Sequence, residues 1–385
     1  MVASSAIAEI SAAALRGNLR AIRRRLPAGT PLCAAVKADA YGHGLGPVLE
    51  VFGQEHVERV AVANLIEALE VRRHGWPRPV LVLGSPLSAA SEARRVDRAR
   101  AILEADLHCT VTTLDEARLL SQQAQRLSRR ARIEAKVDTG MGRAGAVLDG
   151  AVEWIAQAAG LPGVVMEGVY THFATADEAD PSFAHEQLGR FIGLRDALRA
   201  AGVRVGRYHA ANSAAIFRLP ASHLDLVRPG LALYGYWAGP EDERPADLMP
   251  AMRVLAELQA VRRLPAGHSV GYGRAFRTVR SSTLGVVPVG YADGYRRGLG
   301  NHAVMVLEPA RGRPRTPVPV VGRVSMDQTT VDLTDAGDAR VGDRVIVIDD
   351  DPAAPNSVES LARTLGTIPY EITCGLGRRI PRVPR

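Results

Sequence analysis

The sequence predicts an α/β protein, with an N-terminal (β/α)8 TIM-type barrel over residues 1–240 and a mostly β domain over 241–385. Three observations lead there. Eight short apolar, β-rich runs alternate with helical stretches from about residue 30 to 230. The segment GPEDERPADLMP at 239–250, rich in Pro and charge and without periodicity, then reads as a linker. Beyond it, apolar runs are separated by Gly, Pro and Asp turns in place of helices.

The eight runs are LCAAVK at 32–37, RVAVA at 59–63, PVLVL at 79–83, LHCTV at 107–111, ARIEAKV at 131–137, VMEGVY at 165–170, VGRYH at 205–209 and LDLVR at 224–228. The first five are nearly continuous in apolar residues, as expected of strands covered on both faces. Between runs, Leu188, Phe191, Leu194 and Leu198 recur three or four residues apart and mark one helical face. After the linker come TLGVVPV at 283–289, AVMVL at 303–307, PVPVVGRV at 317–324 and RVIVI at 344–348, the strands of the second unit. The first few residues suit either unit.

Composition narrows the function. Of 385 residues, 46% are hydrophobic and 23% charged, ordinary for a globular protein. No apolar run reaches the ~18 residues of a membrane span. Met1 to Ala14 lacks a basic segment leading into an apolar stretch, so a cytoplasmic protein without a membrane partner is expected. Cys33, Cys109 and Cys374 have neither disulfide nor zinc spacing and read as small buried side chains; no metal is expected. The net charge of +7 is spread evenly, without the basic patch of a nucleic-acid footprint, and suits anionic small molecules instead. Only two of the 48 basic residues are lysines, Lys37 and Lys136. Arginine stays protonated, whereas a lysine amine can lose its proton and attack a carbonyl.

Barrel enzymes place their chemistry at the C-terminal ends of the strands, and the unusual residues collect there. Lys37 ends the first run, and Lys136 lies in the fifth, ahead of Asp138 and Arg143. His172 follows the sixth, Asn212 and Ser213 the seventh, and Arg228, Gly230 and Leu231 close the eighth. The loops after strands seven and eight are the usual phosphate site of this fold. A hydroxyl at Ser213 and a turn at Gly230 allow close approach to a phosphate. An imine-forming lysine facing a phosphate site points to pyridoxal phosphate. Each residue also has a plainer reading: His172 as a structural histidine, Arg228 paired with Asp225, Ser213 as a helix cap, Lys136 paired with Glu134 or Asp138. Their common location favours the cofactor.

Long segments in order strengthen this. AVKADAYGHG at 35–44, KVDTGMGR at 136–143, THFATAD at 171–177, ANSAA at 211–215 and VRPGLALYG at 227–235 resemble signatures of the alanine racemases. GYGRAF at 271–276, VGYADGY at 289–295, VGRVSMDQ at 322–328 and IPYE at 368–371 extend the resemblance through the second unit. It implies a pyridoxal 5'-phosphate enzyme that interconverts L- and D-alanine as a homodimer with shared active sites, supplying D-alanine for peptidoglycan or serving alanine catabolism. By position, it makes Lys37 the cofactor lysine and one acid/base, and Tyr272 of the other subunit the second. It gives Arg228 the pyridine nitrogen, with His172 supporting Arg228. Tyr41, Ser213, Gly230, Leu231 and Tyr370 would hold the phosphate, and Arg143 and Met326 would meet the substrate carboxylate. Tyr291, Met326 and Asp327 would shape an entrance, and Lys136 would be carbamylated to hold Arg143.

The chemistry explains this set. Racemisation removes a proton from one face of the α-carbon and returns one to the other, which two bases on opposite faces do without movement. An arginine opposite the pyridine nitrogen leaves that nitrogen unprotonated and the ring a weaker electron sink, favouring fast reprotonation over transamination. Rival readings are a broad-specificity amino-acid racemase, since pocket changes shift specificity by only about 1–3 kcal/mol per methylene; a barrel-type decarboxylase, which needs a Gly-rich phosphate loop and a catalytic Cys not found here; and a barrel-only cofactor carrier, which leaves residues 251–385 unexplained.

Overall fold

The computed structural model describes residues 5–308 and 314–385; the first four residues of the Met1–Ala14 stretch lie outside it. Seven parallel strands form one sheet in sequential order: β2 (Cys33–Ala35), β3 (Arg59–Val62), β4 (Val80–Val82), β5 (His108–Val111), β6 (Ala131–Lys136), β7 (Val164–Tyr170) and β8 (Arg207–His209), where β1 denotes Ala6–Ile10. They alternate with helices α2 (Leu45–Gln54), α3 (Leu65–Arg73), α4 (Glu92–Glu104), α5 (Leu114–Arg126), α6 (Ala151–Ala159), α7 (Ser182–Ala200) and α8 (Ser213–Arg218), after α1 (Ala12–Arg23). The face read from Leu188, Phe191, Leu194 and Leu198 is the buried face of α7.

The eighth run closes the ring without becoming a full strand. Asp225 donates its N–H to Tyr208 O at 3.1 Å on one side, and Cys33 donates to Val227 O at 2.9 Å on the other. Leu32 and Val227 form a parallel bridge. Lys136, Arg228 and the residues after β8 consequently ring one mouth, at the C-terminal ends of the strands.

Among the described residues the C-terminal region carries three sheets. The largest has the order β15 (Thr316–Pro319), β14 (Val304–Glu308), β17 (Arg344–Ile348), β9 (Met252–Glu257), β1 and β18 (Arg382–Pro384). The chain's first strand therefore joins this sheet, antiparallel to β9 and parallel to β18. β10 (Ala260–Leu264), β13 (Ser282–Val287) and β16 (Thr329–Asp332) form the second sheet, and the hairpin of β11 (Ser269–Val270) and β12 (Phe276–Arg277) the third. Helices α9 (Val358–Leu365) and α10 (Pro369–Cys374) pack alongside. Among the described residues no helix is long and apolar enough to cross a membrane.

One local conformation is costly. Ala38, Asp39, Ala40 and Tyr41 all have φ of 54°, so the chain after Lys37 makes a left-handed turn. Left-handed helical backbone costs L-residues roughly 1–2 kcal/mol each. Neighbours over-determine it. Glu67 on α3 accepts from Ala38 N at 2.9 Å and from Ala63 N at 2.7 Å. Arg382 of β18 donates Nε–H to Gly42 O at 2.9 Å. A Cβ on Gly42, whose φ is 81°, would sit 2.0 Å from Thr373 O, so α10 presses directly on the turn.

Candidate active site

Lys37 emerges from the end of β2 into the barrel mouth, with its Nζ 5.9 Å from the centre of the Tyr41 ring. Lys136, at the end of β6, is buried, with Nζ 5.9 Å from the Tyr170 ring. Arg228 stacks on the other part of this platform, its Cζ 5.0 Å from the same ring. Burial, and then Arg143, lowers the proton affinity of both lysines; Lys136 falls to about 8. His172 is pushed down to about 3 by burial and then by Arg228, Arg143 and the two lysines. The mouth therefore concentrates positive charge and favours neutral amines and anionic ligands.

Arg228 is buried and fully engaged on its inner side. It donates Nη1–H to His209 Nδ1 at 2.7 Å and Nη2–H to Thr171 O and Ala210 O at 2.6 and 3.1 Å. Its support is thus His209 and not His172, which makes no hydrogen bond to Arg228 among the described residues. Because Arg can only donate, His209 accepts at Nδ1 and carries its proton on Nε2. That proton faces Glu134 Oε2 at 2.9 Å. Burial lowers His209 to about 4, so the ring is neutral at physiological pH. Glu134, wholly buried, would be raised by burial, but Arg59 first, and then the neighbouring His108 and His209, hold it well below the usual carboxylate range. Arg59 Nη1 reaches Glu134 Oε1 at 2.8 Å and Nη2 reaches His108 Nδ1 at 3.0 Å. A polar chain thus runs through the barrel interior beneath Arg228.

The plainer readings of these residues do not match the contacts. Asp225 accepts from Tyr208 N, not from Arg228. Asp138 is taken by the amides of Gly140, Met141 and Gly142, each at 2.8 Å. Glu134 belongs to Arg59 and the histidines, leaving Lys136 without an ion pair among the described residues. The cap of α8 is Asn212, which accepts from Ala215 N at 2.9 Å. Ser213 Oγ instead accepts from Gly230 N and Ala232 N, at 2.9 and 3.2 Å. Two of the three cysteines are buried, but Cys374, the last residue of α10, is exposed.

Ser213, Leu231 and Tyr370 line one small cavity beside Asn212 and Tyr236. Tyr41 packs against Tyr234 and Tyr370, with ring centres 5.0 and 5.9 Å apart. A Cβ at Gly230 would lie 2.4 Å from Tyr41 Oη, so this position admits only glycine while the tyrosine stands there. The hydroxyls of Ser213, Tyr41 and Tyr370, within the barrel mouth that also holds the cations Lys37 and Arg228, fit a phosphorylated cofactor. Pyridoxal phosphate would suit them: Ser213, Gly230, Leu231 and the two tyrosines are the residues that would hold its phosphate, and Lys37 is the amine that would take its aldehyde.

The remaining predicted residues form a separate surface. Tyr272 sits at the tip of the β11–β12 hairpin between Gly271 and Gly273, at φ of 69° and 65°, and is 70% exposed. Tyr291 and Met326 lie on neighbouring loops, joined by Tyr291 N to Ser325 O at 3.0 Å and Ala292 N to Met326 O at 2.9 Å. Both are exposed. Asp327 pairs with Arg379 at 2.8 Å. Among the described residues no hydrogen bond, ion pair or ring contact links Tyr272, Tyr291 or Met326 to Lys37 or Arg228.

The chain is similar to known proteins along its whole length. Profiles described as alanine racemase N-terminal domain and alanine racemase C-terminal domain match residues 10–237 and 251–384. An alanine racemase of Desulfovibrio desulfuricans is 40% identical over 377 residues, covering 98% of this chain and 97% of that one. One of Desulforamulus reducens is 40% identical over 381 residues, covering 98% of each. Among solved structures, the alanine racemase of Clostridium difficile 630 superposes with a TM-score of 0.90 at 33% identity, over 100% of this chain and 97% of that one. The alanine racemase of the D-cycloserine producer Streptomyces lavendulae gives 0.89 at 33%, over 100% and 98%. With both halves matched, in the same order as the cationic mouth and the exposed hairpin, the chain belongs to the alanine racemase family.

Proposed function

We propose that this protein is a pyridoxal phosphate-dependent racemase that interconverts L- and D-alanine as a homodimer, each site combining one barrel mouth with the Tyr272 surface of the other copy. The observation that carries this is the divided site: a cofactor-competent lysine in the mouth, and a tyrosine held outward at the tip of an exposed hairpin. We also infer a division near residue 240, with β1 counted with the C-terminal region, and a cytoplasmic location.

When bound, the cofactor supplies an electron sink for the α-carbon of the amino acid. The chain supplies the rest. Lys37, with lowered proton affinity, takes or gives a proton on one face, and Tyr272 of the second copy does so on the other. Arg228, held by neutral His209, keeps a fixed positive donor in the mouth instead of a carboxylate, and so restrains the electron sink. Arg143 meets the substrate carboxylate, with the main chain of Met326 from the second copy. Tyr291 and Asp327 narrow the approach. Lys136, at about 8, is partly neutral near physiological pH, the form that adds CO₂. A carbamate there becomes an anion beside Arg143 and reverses the local repulsion; intact-mass analysis reads it as the added mass of one CO₂.

Absorbance and optical rotation test the reading on one sample. The purified protein should show a band near ~420 nm, the region of a Schiff-base lysine, and L-alanine should lose its rotation; Lys37→Ala should lack both. A band with unchanged alanine would move the reading to a broader racemase or a decarboxylase, and no band after added pyridoxal phosphate would end it.

A further inference from the structure

The barrel has a second concave site at its opposite end. A cavity of about 460 Å³ opens among the N-terminal ends of β3 to β8, on the far side of the barrel from Lys37. Five arginines line it: Arg59, Arg72, Arg78, Arg132 and Arg207. The lining carboxylates are Asp106 and Glu167, and both are engaged by Arg132.

The other cations differ in how they are held. Arg72 donates to four carbonyl oxygens, those of Ala105, Trp76, Arg78 and Asp106, at 2.7 to 2.9 Å. Arg78 donates to Val57 O at 3.0 Å. Both guanidinium groups are thus fixed in place by neutral acceptors, and neither is ion-paired among the described residues. The Arg207 side chain makes no hydrogen bond or ion pair among them. Arg59 is 3% exposed, and its contacts with Glu134 and His108 use two of its five N–H donors. Three cations without a carboxylate, two of them immobilised, crowd one hollow. Like charges sharing one hollow repel, and a multivalent oxyanion relieves that repulsion while forming charge-assisted hydrogen bonds to planar donors already oriented.

We propose that this floor cavity binds a small multivalent oxyanion, a phosphate ester or a di- or tricarboxylate, and that its occupancy is felt at the cofactor end of the barrel. The connection is the polar chain described above. Arg59 lines the floor and holds Glu134; Glu134 holds His209, and His209 holds Arg228. An anion on Arg59 competes with Glu134 for its charge and changes the field along that chain. The binding stands without the proposed racemase activity, whereas the coupling rests on it.

Holoenzyme is the material to use, so that the cofactor's own phosphate site is filled. It is titrated calorimetrically with inorganic phosphate and, separately, with citrate. Saturable binding of either near or below about 1 mM is expected, weakened about ten-fold or more in Arg207→Glu. Phosphate in preference to citrate assigns the site to phosphate esters, and the reverse assigns it to carboxylates. Arg207→Glu itself places a carboxylate in the hollow that Arg59 lines, so without anion it should shift kcat or KM in the sense that bound anion shifts the wild type, and added anion should then change little. No saturable binding of either anion, or equal binding by the variant, overturns the site. Bound anion that leaves kcat and KM unchanged overturns the coupling, while failure of racemisation itself leaves the calorimetric result standing.

Discussion

The barrel mouth and the hairpin surface differ in nearly every physical respect. In the mouth, Arg228, His209 and Glu134 are buried and interlocked, Lys136 is buried beside them, and proton affinities are displaced by desolvation and by one another. On the hairpin surface, Tyr272, Tyr291 and Met326 stand exposed on glycine-rich turns with few partners. A buried charged network is costly unless every member is satisfied, so the mouth is coupled to folding. The hairpin is free of that burden and fits a role completed only by another surface. Damage to the mouth should therefore unsettle chemistry and stability together, and damage to the hairpin chemistry alone.

The largest effect is expected from Lys37→Ala. Activity should fall by more than about 10⁴-fold, beyond a single acid/base contribution, because the cofactor attachment is lost too. Tyr272→Phe should cost about 10²–10⁴-fold with an unchanged melting temperature. The two variants together test the division itself. Mixed and reassembled, they should recover about a quarter of wild-type activity, since half the dimers are hybrids and each hybrid has one intact site. No recovery would place both residues in one chain's site.

Glu134→Gln tests the mouth's interior. It removes the charge that pairs Arg59 while keeping the shape, and should cost about 3–5 kcal/mol in denaturant unfolding. A near-neutral result would mean the polar chain is incidental. Next is the pH dependence. His43 and His172 are lowered to about 3 and His209 to about 4, in each case first by burial. Below their unfolded value near ~6.5 the unfolded chain binds more protons than the folded one, so stability is flat above that pH and declines as pH falls toward about 4. The slope reaches about 1.4 kcal/mol per pH unit for each histidine. A stability curve flat from pH 7 to 4 would contradict their neutral burial. Smallest is Asp327→Asn, which breaks an exposed pair with Arg379 and should change stability by under about 1 kcal/mol. A larger loss would show that the hairpin side is not independent after all.

The sequence made the mouth legible where function sits in contiguous words. AVKADAYGHG and VRPGLALYG name Lys37, Tyr41, Arg228 and Gly230 together, and the alternation of runs placed them at strand ends. It was poor at interior partners. His209 and Glu134 lie within strands β8 and β6, and only the ring closure brings them beneath Arg228; His172, adjacent to a strand end, looked the better candidate. The left-handed turn carried no signal either. Ala38 to Tyr41 contains no glycine, and the contacts that enforce it come from Glu67 and from distant Arg382. β1 joined the second sheet because its partners β9 and β18 appear only after residue 250.

Arg382 and Gly42 are 340 positions apart along the chain. At about 5–20 residues per second, a ribosome needs roughly 20–70 s to deliver the one after the other. During that interval the nascent barrel can collapse around its strands, yet the turn behind Lys37 lacks the latch that holds it against its own strain. Lys37 is thus among the first residues made, and the turn behind it is among the last parts of the fold to gain its full set of contacts.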